Sequence, residues 1–373
     1  MNTTRHDEDI DATSPTWTIT GALSAGRYSH TATLLDDGMV LAAGGVTDQN
    51  KIVSRVEIYN PANRRWTTNG ALRVPRVAHT ATLLRDNRLL LAGGRSEPAG
   101  GSINGVEVYD PTTGESSPTA SLAHARQEHT ATLLKNGKVL VAGGTDDSSF
   151  PDRIPTAEIY DPESETWTLT GSLTLNNGRT AHTATLLDDG TVLVVGGNTF
   201  GPLMAEGAEI YDPKSGKWEA TAEPTTVRVN HTATLLPNGT VLLAGGARSN
   251  GLVDEVRTAE IYNPDVKEFS ASGDFIMARQ GHAATLLANG LVLATGGFMG
   301  AVAVDDVTLV FTIKDVEVYN PSTHEWSITA AMNAARSEHS ATLLSDGSVL
   351  VTGGQERTVS GLSPTAGTEL FSA

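Results

Sequence analysis

The sequence predicts an all-β protein in which seven four-stranded antiparallel sheets follow one another in a closed ring. Three observations predict it: a phrase that recurs seven times, four strand-like segments in each repeat, and a last repeat whose fourth strand is supplied by the N-terminus. The phrase is an arginine, two variable residues and then His-Thr-Ala-Thr-Leu-Leu or a close variant. Its histidines recur every 49 to 57 residues, at His30, His79, His129, His182, His231, His282 and His339. A nearly fixed period of this length indicates a fold built from repeated units.

The first two strands of each repeat form a predicted hairpin. The His-Thr-Ala-Thr-Leu-Leu phrase is rich in strand-forming residues, and a turn such as Asp37-Gly38 follows it. Such a pair predicts a two-residue turn in which both residues take positive φ. Only the second repeat departs, with Asp86-Asn87. The second strand is apolar and ends in a Gly-Gly pair, which predicts an unusual φ or a close backbone approach.

The third and fourth strands complete the repeat. The third reads Glu-Ile-Tyr or a close variant, and in six repeats it ends at Asn-Pro or Asp-Pro, because proline cannot donate to a strand ladder. The fourth carries a tryptophan or phenylalanine, with Ser117 in its place in the second repeat.

The two ends of the sequence supply one repeat between them. The last third strand is Thr368 to Phe371, and no fourth strand follows it. The segment Trp17 to Leu23 matches the fourth strand Trp66 to Leu72 of the first repeat. We therefore expect the N-terminal strand to complete the seventh sheet, which removes the exposed strand edges of an unclosed array. Residues 1–14 are predicted to be an acidic, flexible tail, and residues 15–373 a single domain.

The complete motif set resembles the Kelch-repeat β-propeller family, in its bacterial stand-alone type, over residues 15 to 373. Paired glycines, Glu-x-Tyr and a spaced tryptophan occur together in most repeats. The resemblance implies a seven-bladed Kelch β-propeller. Galactose-oxidase-like copper enzymes share this propeller, but they need a tyrosine–cysteine crosslink and this sequence has no cysteine. We therefore expect neither copper redox chemistry nor another cofactor.

Composition narrows the partners further. The chain has 373 residues and a net charge of −17, and its pI is near 4.9. With no basic block, nucleic acid and anionic membranes are poor partners. No apolar run approaches the 18 or so residues of a membrane-spanning helix, and the N-terminus does not resemble a secretion signal. We expect a monomer in the cytoplasm.

The residues that recur in every repeat are predicted to serve the scaffold. Each histidine has the same neighbours, so each is expected to fill the same slot between strands with its ring hydrogen-bonded. The alternative is a zinc or copper site made by two or three of them. One arginine and one glutamate also recur per repeat, and we expect one Arg–Glu pair at each blade junction, because a buried glutamate without such a partner would be too costly.

The residues that vary are the candidates for function. The turns between strands one and two, and between three and four, are short and uniform, whereas the connections between strands two and three vary on the opposite face. The longest, around Asp305 to Lys314, is expected to fold over the rim as a lid. Two registers should surround the channel mouth: the residue after each Gly-Gly, and the pair between arginine and histidine. The resemblance lends ligand binding to these registers, and the candidates are Tyr28, Arg95, Gln127, Asn198, Asn230, Phe298 and Gln355.

Two acidic residues raise an enzymatic alternative. Glu128 and Glu338 share one register in blades three and seven and should face each other across the channel, as the paired carboxylates of glycosidases do. The alternative is that they are two solvent-exposed carboxylates on the rim of an acidic protein and have no catalytic role. The first hypothesis is a module that binds a protein, peptide or small polar ligand. The second is a cofactor-independent isomerase, lyase or hydrolase in which these two glutamates are the catalytic residues.

Overall fold

The structure is a computed structural model that describes residues 14–146, 153–175, 178–199, 207–248, 254–304, 307–358 and 361–373. These residues form seven four-stranded antiparallel sheets and three separate two-stranded hairpins. The first strand of each sheet neighbours the first strands of the adjacent sheets, and that of the seventh sheet neighbours that of the first. The architecture is therefore a closed seven-bladed β-propeller, as predicted.

The blades are numbered along the chain, and the strands of each are given from the inner to the outer. Blade 1 consists of Thr31–Leu34, Val40–Ala43, Arg55–Asn60 and Arg65–Ala71. Blade 2 consists of Thr80–Leu83, Leu89–Ala92, Val106–Asp110 and Glu115–Pro118. Blade 3 consists of Thr130–Leu133, Val139–Ala142, Ala157–Asp161 and Thr166–Leu169. Blade 4 consists of Thr183–Leu186, Val192–Val195, Ala208–Asp212 and Lys217–Ala220.

The remaining blades follow the same order. Blade 5 consists of Thr232–Leu235, Val241–Ala244, Ala259–Asn263 and Glu268–Ala271. Blade 6 consists of Ala283–Leu286, Val292–Thr295, Val316–Asn320 and Glu325–Thr329. Blade 7 consists of Ser340–Leu343, Val349–Thr352, Thr368–Ser372 and, from the N-terminus, Thr16–Ile19. In six blades the third strand ends at the residue before the predicted proline.

The N-terminal strand closes the ring, as predicted. Trp17 pairs with Phe371 across the antiparallel ladder, with ring centroids 5.2 Å apart. Its indole Nε1 donates to the carbonyl of Ala330 in the preceding blade at 2.7 Å. Thr20, just after this strand, shares a 2.7 Å hydrogen bond with the hydroxyl of Tyr59 in blade 1. Residues 1–13 of the predicted acidic tail lie outside the described residues.

The hydrophobic core lies between consecutive blades. Every residue of each second strand is buried. In one such cluster, Leu41 and Ala43 of blade 1 pack with Leu89 and Leu91 of blade 2. Because burying one such leucine contributes roughly 1.5–3 kcal/mol, each blade is stabilised mainly by its neighbours. A comparable cluster joins blade 7 to blade 1.

The turns between the first and second strands differ from the prediction. The amide of Gly38 donates to the carbonyl of Leu35 at 3.0 Å, and the amide of Leu35 donates to the carbonyl of Met39 at 2.8 Å. The loop therefore has three residues, and only its glycine takes positive φ, at 83°. Asp37 keeps negative φ because its carboxylate accepts the amide of Met39 at 3.0 Å. The prediction of two positive-φ residues is wrong, and Asn87 of blade 2 takes the glycine position with φ 64°.

The Gly-Gly pairs behave as predicted. Both glycines of the first pair have positive φ, 66° at Gly44 and 95° at Gly45. A Cβ on Gly44 would lie 2.5 Å from the carbonyl oxygen of Arg76 in the next blade, and one on Gly45 would lie 2.8 Å from that of Tyr28. These distances are too short for any other residue, so the first glycine lets the next blade approach closely and the second lets the chain fold back against its own blade.

The recurring arginines and glutamates form seven buried ion pairs. Six have N–O distances of 2.5–3.0 Å, and the seventh joins Arg27 and Glu57. The pairing is confirmed, but its expected place at the blade junctions is wrong, because both partners belong to the same blade. The junction is served by the glutamate's further bonds: Glu57 also accepts the amide of Ser24, in the segment that arrives from the previous outer strand.

Each histidine ring is hydrogen-bonded between strands, as predicted, and in six of the seven blades this bond joins the inner strands of adjacent blades. In five blades the ring Nε2 shares a hydrogen bond of 3.0–3.2 Å with the first threonine of the preceding blade's inner strand. His30 makes the same bond to Ser340. His339 departs: its bond goes to Thr295 on the second strand of blade 6, because alanine stands at the usual position. The tryptophan position also needs one correction, since Ser116 rather than Ser117 pairs with the tyrosine of the blade 2 third strand.

The variable connections build extra structure on one face. Val46–Thr47 pairs with Lys51–Ile52, around a 3-10 turn at Asp48–Asn50. Phe298–Val304 pairs with Val307–Thr312, and Gln355–Thr358 pairs with Gly361–Pro364. The hairpins of blades 6 and 7 touch, because the amide of Arg357 donates to the hydroxyl of Thr312 at 3.3 Å. Asp305 lies outside the described residues, and the lid role of the longest connection stays a prediction.

Candidate ligand site at the channel mouth

The two registers expected at the mouth are neighbours in space. In blade 1 the amide of Tyr28 donates to the carbonyl of Val46 at 3.1 Å, and the amide of Val46 donates back at 3.0 Å. The same isolated antiparallel bridge occurs in all seven blades. It forms because the Gly-Gly turn folds the following residue back against the segment that precedes the histidine. We call the loop side of the channel the mouth.

The residue just before each histidine forms a ring at this level. All seven have left-handed backbone, with φ of 50–60°, and they are Ser29, Ala78, Glu128, Ala181, Asn230, Gly281 and Glu338. Ring neighbours are joined by backbone bonds, such as the amide of Glu338 to the carbonyl of Gly281 at 3.1 Å. A left-handed residue other than glycine costs roughly 1–2 kcal/mol. The repeat therefore holds these seven residues in a fixed arrangement around the channel, and the backbone of the six that are not glycine is strained.

Two cavities meet at this ring. The mouth cavity, of about 510 Å³, is lined by loop-face residues that include Tyr28, Arg95, Arg153 and Asn198. The channel cavity, of about 600 Å³, is lined by recurring histidines together with Gln280, Phe298 and Glu338. Both have the volume of small-molecule sites. Five ring residues belong to both linings: Ser29, Ala78, Glu128, Ala181 and Asn230.

The structure brings most of the sequence-predicted residues together. The mouth cavity contains Tyr28, Arg95, Gln127, Glu128, Asn198 and Asn230. Phe298 and Glu338 line the channel cavity below them. Gln355 lies on the hairpin of blade 7 and is in neither lining. Whether these residues bind a ligand stays a prediction.

Sequence reasoning missed two residues of the mouth cavity, Asn50 and Arg153. Both lie in variable connections, where no repeat register places them. Arg153 is held by a 3.1 Å hydrogen bond from its Nε to the carbonyl of Thr199 in the next blade. The sequence offers one indication of Arg153, which is that a positively charged residue lies in the connection that follows a Gly-Gly pair.

The mouth cavity has polar groups that the described residues leave without partners. No described carboxylate lies within 4.0 Å of a nitrogen of Arg95 or Arg153, in contrast to the seven paired arginines of the blades. Asn198 is only 2% exposed, and its Oδ1 has no hydrogen-bond partner among the described residues. Since buried amides are nearly always bonded, this oxygen marks a place for a ligand or water.

The channel cavity is acidic and aromatic. Glu338 is half-buried, and its Oε2 accepts a 2.7 Å hydrogen bond from the hydroxyl of Ser29. Burial raises the pKa of Glu338, and the charge of Glu128 raises it further, against the lowering effect of the Ser29 hydrogen bond. The pKa of Tyr28 is raised by burial and by Glu338, and Arg95 opposes the shift. One phenol therefore senses charges from both cavities.

A hydrogen-bond chain orients the amides on the other side of the channel. The Nδ2 of Asn230 donates to the Oε1 of Gln280 at 3.2 Å, and the Nε2 of Gln280 donates to Glu255 at 3.1 Å. Asn230 is exposed, so its Oδ1 presents an acceptor to the channel. The ring of Phe298 lies over Gly281, where an added Cβ would be 3.3 Å from it.

The histidines of the channel wall are neutral. Burial, reinforced by the neighbouring arginines, lowers the pKa of His30, His182 and His339 to about 3 and places the pKa of the other four well below its usual value. Within the described ranges, no three histidine, aspartate or glutamate side chains are placed to hold one metal ion. No helix of the described residues has the length and apolar character to cross a membrane.

Comparison with known proteins places the chain in a family. Residues 10–197 and 159–354 match the KLHDC2/KLHL20/DRC7 Kelch-repeats domain. The chain belongs to the Kelch-repeat family. Over 70 residues it is 31% identical to Kelch-like protein 15 of Danio rerio and to that of Homo sapiens. This match covers 19% of the chain and 11% of each of those proteins.

A solved structure shows the same fold. A novel fungal alcohol oxidase of the AA5 family, in complex with copper, superimposes with a TM-score of 0.76 over 96% of this chain and 76% of its own. The two sequences are 17% identical, so the likeness concerns the propeller fold.

Proposed function

We propose that this Kelch propeller is a protein-binding module whose partner docks on the mouth and its surrounding loops. Kelch domains commonly bind proteins, and the family match carries that coarse function to this chain. The observation that supports this face is the contrast between the two sides of the disc. One side carries the three extra hairpins and both cavities, and the other has short turns of nearly one length. A monomer in the cytoplasm stays our expectation.

Site-specific photo-crosslinking in cells tests the docking face. A benzophenone amino acid replaces Glu97, which is exposed in the blade 2 loop, or Lys214, which is exposed in the opposite-face turn of blade 4. We expect a discrete partner adduct from position 97, and its loss when Asn198→Ala is added. Lys214 serves as the matched control and should give no such adduct. Equal adducts from both positions would contradict the proposed face.

A second function, acid–base catalysis in the channel cavity, is favoured by one specific observation. Burial and Glu128 raise the pKa of Glu338, which suits a general acid. Under this alternative Glu128 is the base, and the reaction is an isomerisation, elimination or hydrolysis without a cofactor. Activity-guided screening with wild type and Glu338→Gln tests it: a turnover that survives the substitution unchanged would remove the catalytic role.

A further inference from the structure

The two cavities at the mouth have opposite charge. Arg95 and Arg153 line the mouth cavity, and no described carboxylate lies within ion-pair distance of either. Glu128 and Glu338 line the channel cavity, whose described lining contains no lysine or arginine, and its histidines are neutral. Net charges of opposite sign at the two ends of a partly enclosed site favour a ligand that carries the complementary charges.

The mouth cavity and the channel cavity are the two poles of the site, and each also contains a group that suits one end of such a ligand. In the mouth cavity, the amide of Asn198 is 2% exposed and its oxygen lacks a partner among the described residues, so the site can complete its hydrogen bonds only with something that enters it. In the channel cavity, the ring of Phe298 lies over Gly281, which is bonded through its carbonyl to the amide of Glu338. An aromatic ring beside carboxylates is a favourable environment for an ammonium group.

The two poles are close enough for one small molecule. They share five ring residues, and Glu128 belongs to both linings. Tyr28, which lines the mouth, is influenced by the charges of both Arg95 and Glu338. We propose that the central channel binds a small zwitterion, with its carboxylate at Arg95 and Arg153 and its ammonium group at Glu338 and Phe298. This goes beyond the docking of a protein, since the site lies inside the propeller.

The test uses the purified full chain and a series of ω-amino acids, namely glycine, β-alanine, 4-aminobutyrate and 6-aminohexanoate, because their charges are separated by increasing lengths. The best of them is compared with the alkanoate and the alkylammonium ion of the same chain length by calorimetric titration at pH 7.5. We expect the zwitterion to bind at least about 10-fold more tightly than either singly charged analogue, as one charge-assisted hydrogen bond provides.

Substitutions assign the poles. Arg95→Gln should reduce the affinity of the zwitterion to that of the alkylammonium ion and leave the affinity of the alkylammonium ion unchanged. Glu338→Gln should reduce the affinity of the zwitterion to that of the alkanoate and leave the affinity of the alkanoate unchanged. Arg257→Gln is the control, because this arginine is exposed and pairs with Asp274 at 3.4 Å. The proposal is overturned if no probe gives saturable binding, if the three probes bind equally, or if either variant weakens all probes alike. None of these results bears on protein docking, since no partner is present.

Discussion

Arginine and glutamate occur in two settings in this propeller, and the two settings differ in burial and in ion pairing. Inside each blade, a pair such as Arg179 and Glu209 is fully buried and 3.0 Å apart, and Nη1 of Arg179 and Oε1 of Glu209 also bond to backbone groups. At the mouth, Arg95 and Glu338 are half-buried and belong to different cavities, and neither forms an ion pair within the described residues. The period distinguishes the two sets: charges that recur in every repeat form ion pairs within the blades, whereas Arg95 and Glu338, which break the repeat, form none with described residues.

The largest expected effect concerns the neutral histidines of the scaffold. Their folded pKa is lowered, to about 3 for His30, His182 and His339, so the unfolded chain takes up protons first as pH falls below about 6.5. The contribution of the neutral histidines to stability is therefore fully present above about pH 6.5 and is lost as pH falls toward 3. At pH 5.5 each of the three histidines whose pKa is about 3 costs about 1.4 kcal/mol, or about 4 kcal/mol together, and the other four act in the same direction.

Urea unfolding at pH 7.5, 6.5 and 5.5 measures this effect. We expect the free energy of unfolding to fall steeply between the last two values, with a proton uptake of several per molecule. A dependence that corresponds to one proton or fewer would mean that the histidines are charged in the folded propeller.

Removing the N-terminal strand should have the next largest effect. Deletion of residues 1–24 takes away Trp17, exposes Phe371 and breaks the bond to Ala330. Burial of two aromatic side chains contributes about 3 kcal/mol or more, so thermal melting should shift downward and aggregation should increase. Deletion of residues 1–13 is the matched control and should leave the melting temperature unchanged. Equal melting of both deletions would mean that the ring closes in another way.

The smallest effect should have the opposite sign. Because burial and Glu128 raise the pKa of Glu338, its ionised form opposes folding above that pKa. Glu338→Gln keeps the hydrogen bond to Ser29 and removes the charge, so it should raise the melting temperature slightly at pH 7.5 and have little effect at pH 4. A loss of stability at pH 7.5 would place Glu338 with the scaffold.

The sequence predicts the scaffold well because each of its rules is applied seven times. Strands, closure, histidine bridges and Arg–Glu pairing all follow from repetition. The predicted turn type is wrong because the carboxylate of Asp37 accepts a hydrogen bond from the amide of Met39 and so stabilises negative φ at Asp37. The residue pair alone does not reveal this local hydrogen bond. The Arg–Glu pairs were predicted at the blade junctions, and this location is wrong. Glu57 accepts hydrogen bonds both from Arg27 of its own blade and from Ser24 in the incoming segment, and sequence spacing does not distinguish these two donors.

The mouth is predicted only in part, for a related reason. Its registers follow from the repeat, so Tyr28, Asn198 and Glu338 could be named in advance. Arg153 lies in a connection of variable length and sequence, where Ser102 of blade 2 and Glu255 of blade 5 form the same bridge, and only the folded loop brings it to the cavity. Gln355 begins a hairpin as Val46 and Phe298 do, yet it is in neither cavity lining, and nothing in the structure explains this difference.

The separation of scaffold from mouth is tested most directly by one pair of unfolding free energies. Arg179→Ala leaves Glu209 buried without its partner and should cost about 3–5 kcal/mol. Arg95→Ala removes a guanidinium that no described carboxylate pairs with and should cost less than about 1 kcal/mol. Measured side by side in urea at pH 7.5, these values should differ several-fold. If Arg95→Ala destabilises the protein as much as Arg179→Ala does, the mouth is part of the scaffold and the account is wrong.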